Sequence, residues 1–321
     1  MAPPDRLAVH VLDPSYGPAL DPLEGDTAAV DAAVERERWG PVDPAPQPPG
    51  PLVFVDGAQQ IEAWLQASVP GEPGPIVGLA CALAAGAVLT APGERARVAA
   101  VRSRRLVLTV GDRCLRLPPS GGFAWEPVRA SAEEGTGLAR RVGQLRQEME
   151  HSLAEAVAEP ERMVVLDGRL SFVRDAGGPI VGAIKSHQRM YLGPRESLVV
   201  PALAVGQRTP LFAIGEDRWS WYQRLPGAGA DGWAGILRGE LPRTLDLASA
   251  RALADRAAAE LPRFAGRAHR DPRAPQNLAP IGGLEARLRH RLGDRRLALR
   301  AARRSAAAAT LAPREPASVA A

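Results

Sequence analysis

Apolar residues in this chain first gather at Leu52-Val53-Phe54-Val55, a short run that ends on Asp56-Gly57. A second run of the same kind, Met163-Val164-Val165-Leu166, ends on Asp167-Gly168. Both are short, β-branched and closed by Gly, the pattern of a buried strand. Ile76–Thr90 and Ala96–Leu117 also read as strands. Within the latter, Leu106–Val110 and Cys114–Leu117 suggest a hairpin around Gly111-Asp112-Arg113, ended by Pro118 and Pro119. Gln59–Gln66 has Ile61, Trp64 and Leu65 at helical or tight-turn spacing instead.

The period changes at Gly137. Leu138, Val142, Leu145, Met149, Leu153 and Val157 recur at steps of three and four, which predicts a helix over Gly137–Glu159, stopped by Pro160. Strand patterns return at the second Asp-Gly run and at Pro179–Lys185, Leu198–Val205, Pro210–Ile214 and Trp233–Leu237. In Asp217–Arg224, Trp219, Trp221 and Gln223 alternate onto one face, either as a platform for bases or as core. The chain turns helical from Leu245. A polar loop, His269–Leu278, then leads to a final helix with Leu284, Leu288 and Leu292 inward and Arg287, Arg289, Arg291, Arg295 and Arg296 around it.

These patterns divide the chain into three parts. Residues 1–51 are an N-terminal extension, with a helix expected over Asp26–Arg38 and a proline-dense connector over Gly40–Pro51. The folded domain spans 52–304, and 305–321 reads as a disordered tail.

Composition narrows the class. At 321 residues the chain is long enough for a sizeable core, and its formal charge of +4 permits an anionic partner. Lys185 is the only lysine among 40 basic residues. A compact, mobile ammonium kept where arginine is used everywhere else singles out that position. Two cysteines, Cys81 and Cys114, offer neither metal spacing nor a disulfide framework. The absence of a signal-like segment and of any sufficiently long apolar run points to a cytoplasmic protein with no membrane association. No phosphate-binding glycine loop, nucleophile elbow or zinc-ligand helix is present. The five histidines show no ligand spacing.

Three carboxylates stand in a suggestive order: Asp56 ending one strand, Glu150 on the helix, Asp167 ending the next strand. A few such carboxylates hold Mg²⁺ or Mn²⁺ without His or Cys, and ions so held can hydrolyse a phosphodiester. On spacing alone Glu150 is also half of an (i, i+4) ion pair with Arg146.

The ordered set Phe54-Val55-Asp56-Gly57, Arg146…Glu150, Val165-Leu166-Asp167-Gly168-Arg169-Leu170 and Val181-Gly182-Ala183-Ile184-Lys185-Ser186 resembles the NurA-type nuclease family. Ser220-Trp221-Tyr222, Asp271–Leu278, Leu284-Glu285 and Leu292-Gly293-Asp294 extend the resemblance to residue 294. It implies an α/β fold: a ribonuclease-H-like mixed β-sheet flanked by helices, with a helical C-terminal portion. It also implies a manganese-dependent DNA nuclease (5′-to-3′ exonuclease, single-strand endonuclease) acting on single- or double-stranded DNA ends in repair. Such proteins form homodimers and work with a HerA-type hexameric ATPase. Carried over by position, Asp56, Glu150 and Asp167 would bind Mn²⁺ or Mg²⁺, with Glu148 the alternative on the helix. Lys185 would contact phosphate or assist attack, and Arg146, Arg169, Trp221 and Asn277 would face nucleic acid. Ala58-Gln59-Gln60, Ala274 and Asn277 depart from the family pattern. Two other readings stay open at this point: a non-catalytic DNA-binding subunit, and a structural protein that uses Asp-Gly only in turns.

Overall fold

A computed structural model of the chain describes residues 29–68, 74–111, 114–130, 137–170, 177–187, 189–227 and 232–311. In order, β1 is Val30–Asp31, β2 Leu52–Ala67, β3 Ile76–Thr90, β4 Arg97–Val110, β5 Leu115–Arg116 and β6 Glu126–Ala130. Helix α1 (Leu138–Val157) follows, then β7 (Met163–Asp167), β8 (Ile180–Ile184) and the short helices α2 (Pro194–Ser197) and α3 (Val199–Ala202). The chain continues through β9 (Phe212–Ile214), β10 (Arg218–Arg224), β11 (Ile236–Pro242) and α4 (Leu247–Glu260). It ends with α5 (Ala279–Leu292), α6 (Arg295–Ala306) and β12 (Thr310–Leu311). The elements gather in two compact units, one of residues 1–54, 90–96 and 157–282, the other of 55–89, 97–156 and 283–321. Each is mixed α/β, with parallel and antiparallel strand pairs flanked by helices.

In the first unit the strand order is β1-β9-β10-β11-β8-β7. β7 and β8 run parallel with Asp167 opposite Ala183, and the remaining pairs are antiparallel. Alternation along β10 decides what each face buries. Trp219 and Trp221 join Ala250, Ala254 and Ala257 of α4 on one face, while Tyr222 joins Phe212, Val200 and Leu203 on the other. Trp221 fits because Gly239 lies opposite it on β11: a Cβ there would sit 2.2 Å from the indole. The tryptophan pattern is therefore core, and the Trp221 ring, fully buried, is no stacking platform for bases.

Arg208 is also fully buried, and two carboxylates compensate its charge. Its Nη1 and Nη2 donate to Glu35 at 2.8 and 2.9 Å, and its Nε donates to Asp255 at 2.7 Å. Burial pushes the Glu35 carboxyl up, but the bonds from Arg208 and the Leu211 N–H outweigh it and hold it below the usual range. Burial alone would lower the Arg208 guanidinium, yet its two carboxylates raise it. This knot, the Val42–Arg208 bridge and the β1–β9 pairing build residues 29–51 into the unit, so the fold does not begin at Leu52.

In the second unit the order is β2-β3-β4-β6, with β3 and β4 antiparallel and β4 and β6 parallel. β3 is covered on both faces and accordingly lacks alternation; its small residues let helices approach closely. A Cβ on Gly86 would lie 2.8 Å from Leu284. Leu79, Cys81 and Leu83 pack on Leu138 and Val142 of α1. Ala82, Ala84 and Val88 pack on Leu284, Leu288 and Leu292 of α5, and Ala80 packs on Ala301 and Ala302 of α6. Burial, reinforced by nearby Glu62, pushes the Cys81 thiol up to about 12, so it serves only as packing.

Five sequence expectations are corrected. Over 29–38 the expected helix is replaced by β1 and bends. Gln59–Gln66 is part of the 16-residue β2, where Trp64 faces outward. Leu115–Arg116 pairs with β12, whereas β4 pairs with β3 and β6, so the expected hairpin does not form; residues 112–113 of its turn lie outside the described residues. Leu198–Val205 holds the helical turn α3, closed by the Leu203 N–H donating to the Val200 carbonyl at 3.3 Å. Residues 305–311 are ordered: α6 extends to Ala306 and β12 pairs with β5.

Two outcomes follow for stability. Arg208→Met leaves Asp255 without its cation and Glu35 with only the exposed Arg251 at 3.6 Å, and should cost about 3–5 kcal/mol in urea unfolding. His187 is packed beside Tyr222 and Trp233, with Nε2 donating to the Ile236 carbonyl at 2.9 Å. Burial lowers its pKa to about 4. Between an unfolded value of about 6.5 and the folded one, only the unfolded chain takes up this proton. Its contribution is therefore complete above about pH 6.5 and should be lost as pH falls toward 4. Urea midpoints across that window should fall less steeply in His187→Gln.

Candidate functional site

The motif residues lie in both units, and each unit's share has its own construction. In the second unit, β2 turns Asp56 and Gly57 to opposite faces, as consecutive strand residues must be. Ala58, on the Asp56 face, packs on Leu284 and Leu288 of α5. Gly57 faces α1. A Cβ there would stand 2.1 Å from Glu150 Oε1, so glycine is what allows the Glu150 carboxylate to lie against the strand. Arg146 donates from Nη1 to Glu150 and from Nε to Gln59 Oε1 at 3.3 Å, closing that side.

Glu150 is thus buried on the α1 face and engaged by Arg146, the ion pair that its spacing allowed. The carboxylate that joins Asp56 on its own face is Glu285 of α5, with an oxygen within 4.8 Å of one from Asp56. Arg289 stands 3.9 Å from Glu285. Asp56 is almost fully buried and Glu285 partly so. Two carboxylates this close repel, and a divalent cation with a preference for hard oxygen donors removes the repulsion. The donor set fits Mn²⁺ or Mg²⁺ and offers nothing to a softer metal. Glu148, the other helix candidate, pairs with Arg141 at 2.7 Å and is half-exposed.

In the first unit, β7 delivers Asp167 and β8 is followed by Lys185. Parallel pairing puts Asp167 beside Ala183, two residues from the lysine. Lys185 Nζ donates to Asp167 Oδ2 at 2.5 Å and to Asn277 Oδ1 at 2.7 Å. The Asn277 amide in turn donates to Asp271 Oδ2, and Asp271 Oδ1 accepts the Arg273 N–H at 2.8 Å. Burial pushes the Asp271 carboxyl up, but the bonds from Arg273 and Asn277 outweigh it and hold it below the ordinary range. Because Asp271 accepts from the Asn277 NH₂ group, the Asn277 carbonyl oxygen faces the lysine. Glycines clear the space here too. A Cβ on Gly182 would lie 2.7 Å from the Gly168 carbonyl, and one on Gly282 would lie 3.3 Å from both Asn277 Nδ2 and Asp271 Oδ2.

Of the residues singled out from sequence, the first unit brings together Asp167, Lys185 and Asn277. The second brings Arg146 to Glu150 and sets Asp56 on the opposite face. Arg169 is exposed just past β7. Sequence reasoning missed two roles. Glu285 had a signal in its position one residue after Leu284, and Asp271 in its spacing of six from Asn277. A cavity of about 370 Å³ in the first unit, between Thr90, Arg263, Phe264 and Pro280, contains none of these residues.

No protein-family model and no curated protein matches the chain. Among solved structures it is similar to a crystal structure of NurA with manganese, at 14% identity and a TM-score of 0.19, over 40% of this chain and 22% of that one. A crystal structure of NurA bound to dAMP and manganese is 15% identical with a TM-score of 0.19, over 42% of this chain and 23% of that one. At that TM-score the likeness assigns no residue of this chain a counterpart.

The close approach at Gly57 is testable. Gly57→Ala should cost about 1–3 kcal/mol through overpacking. The cost should shrink in a Glu150→Ala background, a coupling that a double-mutant cycle measures in thermal or urea unfolding.

Proposed function

We propose that the chain is a divalent-metal-dependent nuclease acting on DNA, of the NurA type that its ordered motifs resemble. The observation that carries this reading is the setting of Lys185. The only lysine of the chain is held by Asp167 and Asn277, which lie 18 and 92 positions from it in sequence. An ammonium fixed by two acceptors keeps one N–H for a third, and a phosphate oxygen is the acceptor such a point charge suits.

In this reading Asp56 and Glu285, both of the second unit, supply oxygens to Mn²⁺ or Mg²⁺. When bound, such an ion activates a water and stabilises the leaving oxygen of a phosphodiester. Lys185 donates to the phosphate, Asn277 and Asp167 aim it, and Asp271 fixes the Asn277 amide. Glu150, committed to Arg146, acts by holding α1 against β2 rather than as a ligand. DNA ends as substrate, a homodimer and a HerA-type ATPase as partner belong to the same proposal.

The test is degradation of labelled single- and double-stranded DNA with Mn²⁺. The wild type should cut. Asp56→Ala and Glu285→Gln should lose more than the roughly 10–100-fold that removal of an outer partner costs. Glu150→Gln should retain activity in proportion to its folded fraction. No cleavage by the wild type, or equal cleavage by Asp56→Ala, would sink the reading. DNA binding without cleavage would mark a non-catalytic subunit instead.

A further inference from the structure

Helix α6 presents an unusual surface. Its buried stripe is Ala298, Ala301, Ala302 and Ser305, which packs within the second unit. At about 100° per residue, Arg296, Arg300 and Arg303 fall directly opposite that stripe. Arg295 and Arg304 flank them, and all five are exposed. The preceding helix α5 also carries exposed Arg287 and Arg291, while its Arg289 stands against Glu285. From Ala279 to Leu311 the chain has only two acidic residues, Glu285 and Asp294. Asp294 is spent on the N-cap of α6, accepting the Arg296 and Leu297 N–H groups at 2.7 and 3.0 Å. Among the described residues, no carboxylate forms an ion pair with any arginine of α6.

We propose that the arginine face of α6 is a binding surface for the DNA backbone, read by charge and not by sequence. The inference rests on the nuclease reading for its choice of polyanion and adds the surface that would hold the strand. Arginine forks grip phosphate oxygens in pairs. Successive arginines one turn apart are about 6 Å from each other along the helix, so several can reach one backbone. A lipid surface is the other polyanion. Interfacial helices insert an apolar face, and α6 has already buried its own; Leu297 is its one exposed large apolar side chain. The charge is therefore offered without the anchor that a membrane requires, and a nucleic-acid backbone is the occupant it fits.

The experiment measures binding of the full chain to fluorescent DNA of random sequence in EDTA, as a function of salt. The variant R296Q/R300Q/R303Q is compared with R36Q/R38Q/R195Q, which removes the same charge from exposed arginines of the first unit. Three lost phosphate contacts should flatten the slope of log affinity against log salt by about 2–3. That change corresponds to a salt sensitivity about 40-fold smaller between 50 and 200 mM. The control should bind like the wild type, and thermal midpoints should confirm that both variants fold.

Unchanged affinity and slope in the α6 variant would overturn the proposal. Equal losses in the control would do so too, as would wild-type binding to phosphatidylserine vesicles but not to DNA. Because EDTA stops metal-dependent hydrolysis, the two proposals fail separately. A chain that binds DNA through α6 yet never cuts sinks only the nuclease reading. One that cuts, while its α6 variant binds normally, sinks only this one.

Discussion

Consecutive residues of a strand cannot serve the same face, and in β2 that constraint divides the labour of two neighbouring residues. Asp56 goes to the face shared with α5, and Gly57 to the face shared with α1. The carboxylate of Glu150 can approach only because Gly57 has no side chain, and the space it occupies is on the far side of the strand from Asp56. The packing of the second unit repeats the division. Leu79, Cys81 and Leu83 look to α1, while Ala82 and Ala84 look to α5. A carboxylate on α5 can therefore share a cation with Asp56, and one on α1 serves the packing of that helix.

The first unit depends on a different economy of charge. Its buried or half-buried cations are each matched by carboxylates: Arg208 and Lys185 by Glu35, Asp255 and Asp167 from elsewhere in the sequence, and Arg238 by Glu240 on its own strand. Such pairs add little net stability over well-packed apolar residues, but removing one partner is costly because the other charge stays buried. They specify geometry more than they stabilise it. At Arg208 the geometry specified is the position of the chain around Glu35. At Lys185 it is the direction of one N–H bond.

Much of the fold was legible in the sequence wherever periodicity was strong. Helix α1, both Asp-Gly strands and the inward leucines of α5 follow from apolar spacing alone. The failures share a cause: local pattern competes with partners far away in the chain. Gln59–Gln66 looked helical because Ile61 and Leu65 are four apart, yet it extends β2, whose period of two is blurred by the buried Glu62. That carboxylate is tolerated inside because Arg105 Nε donates to it at 2.9 Å and Trp125 Nε1 at 2.7 Å, partners 43 and 63 residues away. Leu115–Arg116 was joined to its sequence neighbour, whereas its strand partner lies near residue 310. For the candidate residues, Asp167, Lys185 and Asn277 were legible as motifs. Which helix carboxylate accompanies Asp56 was not, because it depends on which face each helix covers.

The single lysine has a consequence of another kind. The chain's other cationic side chains besides the five histidines are guanidiniums, which stay protonated and do not act as nucleophiles near neutral pH. The ε-amino group of Lys185 is thus the one side-chain amine in the molecule. Acylating or carbonyl reagents that seek amines find a single side-chain target there, in addition to the α-amino terminus, in the same position where Asp167 and Asn277 converge. A reporter group attached at that amine would report on the surroundings of Asp167 and Asn277 without a cysteine having to be introduced.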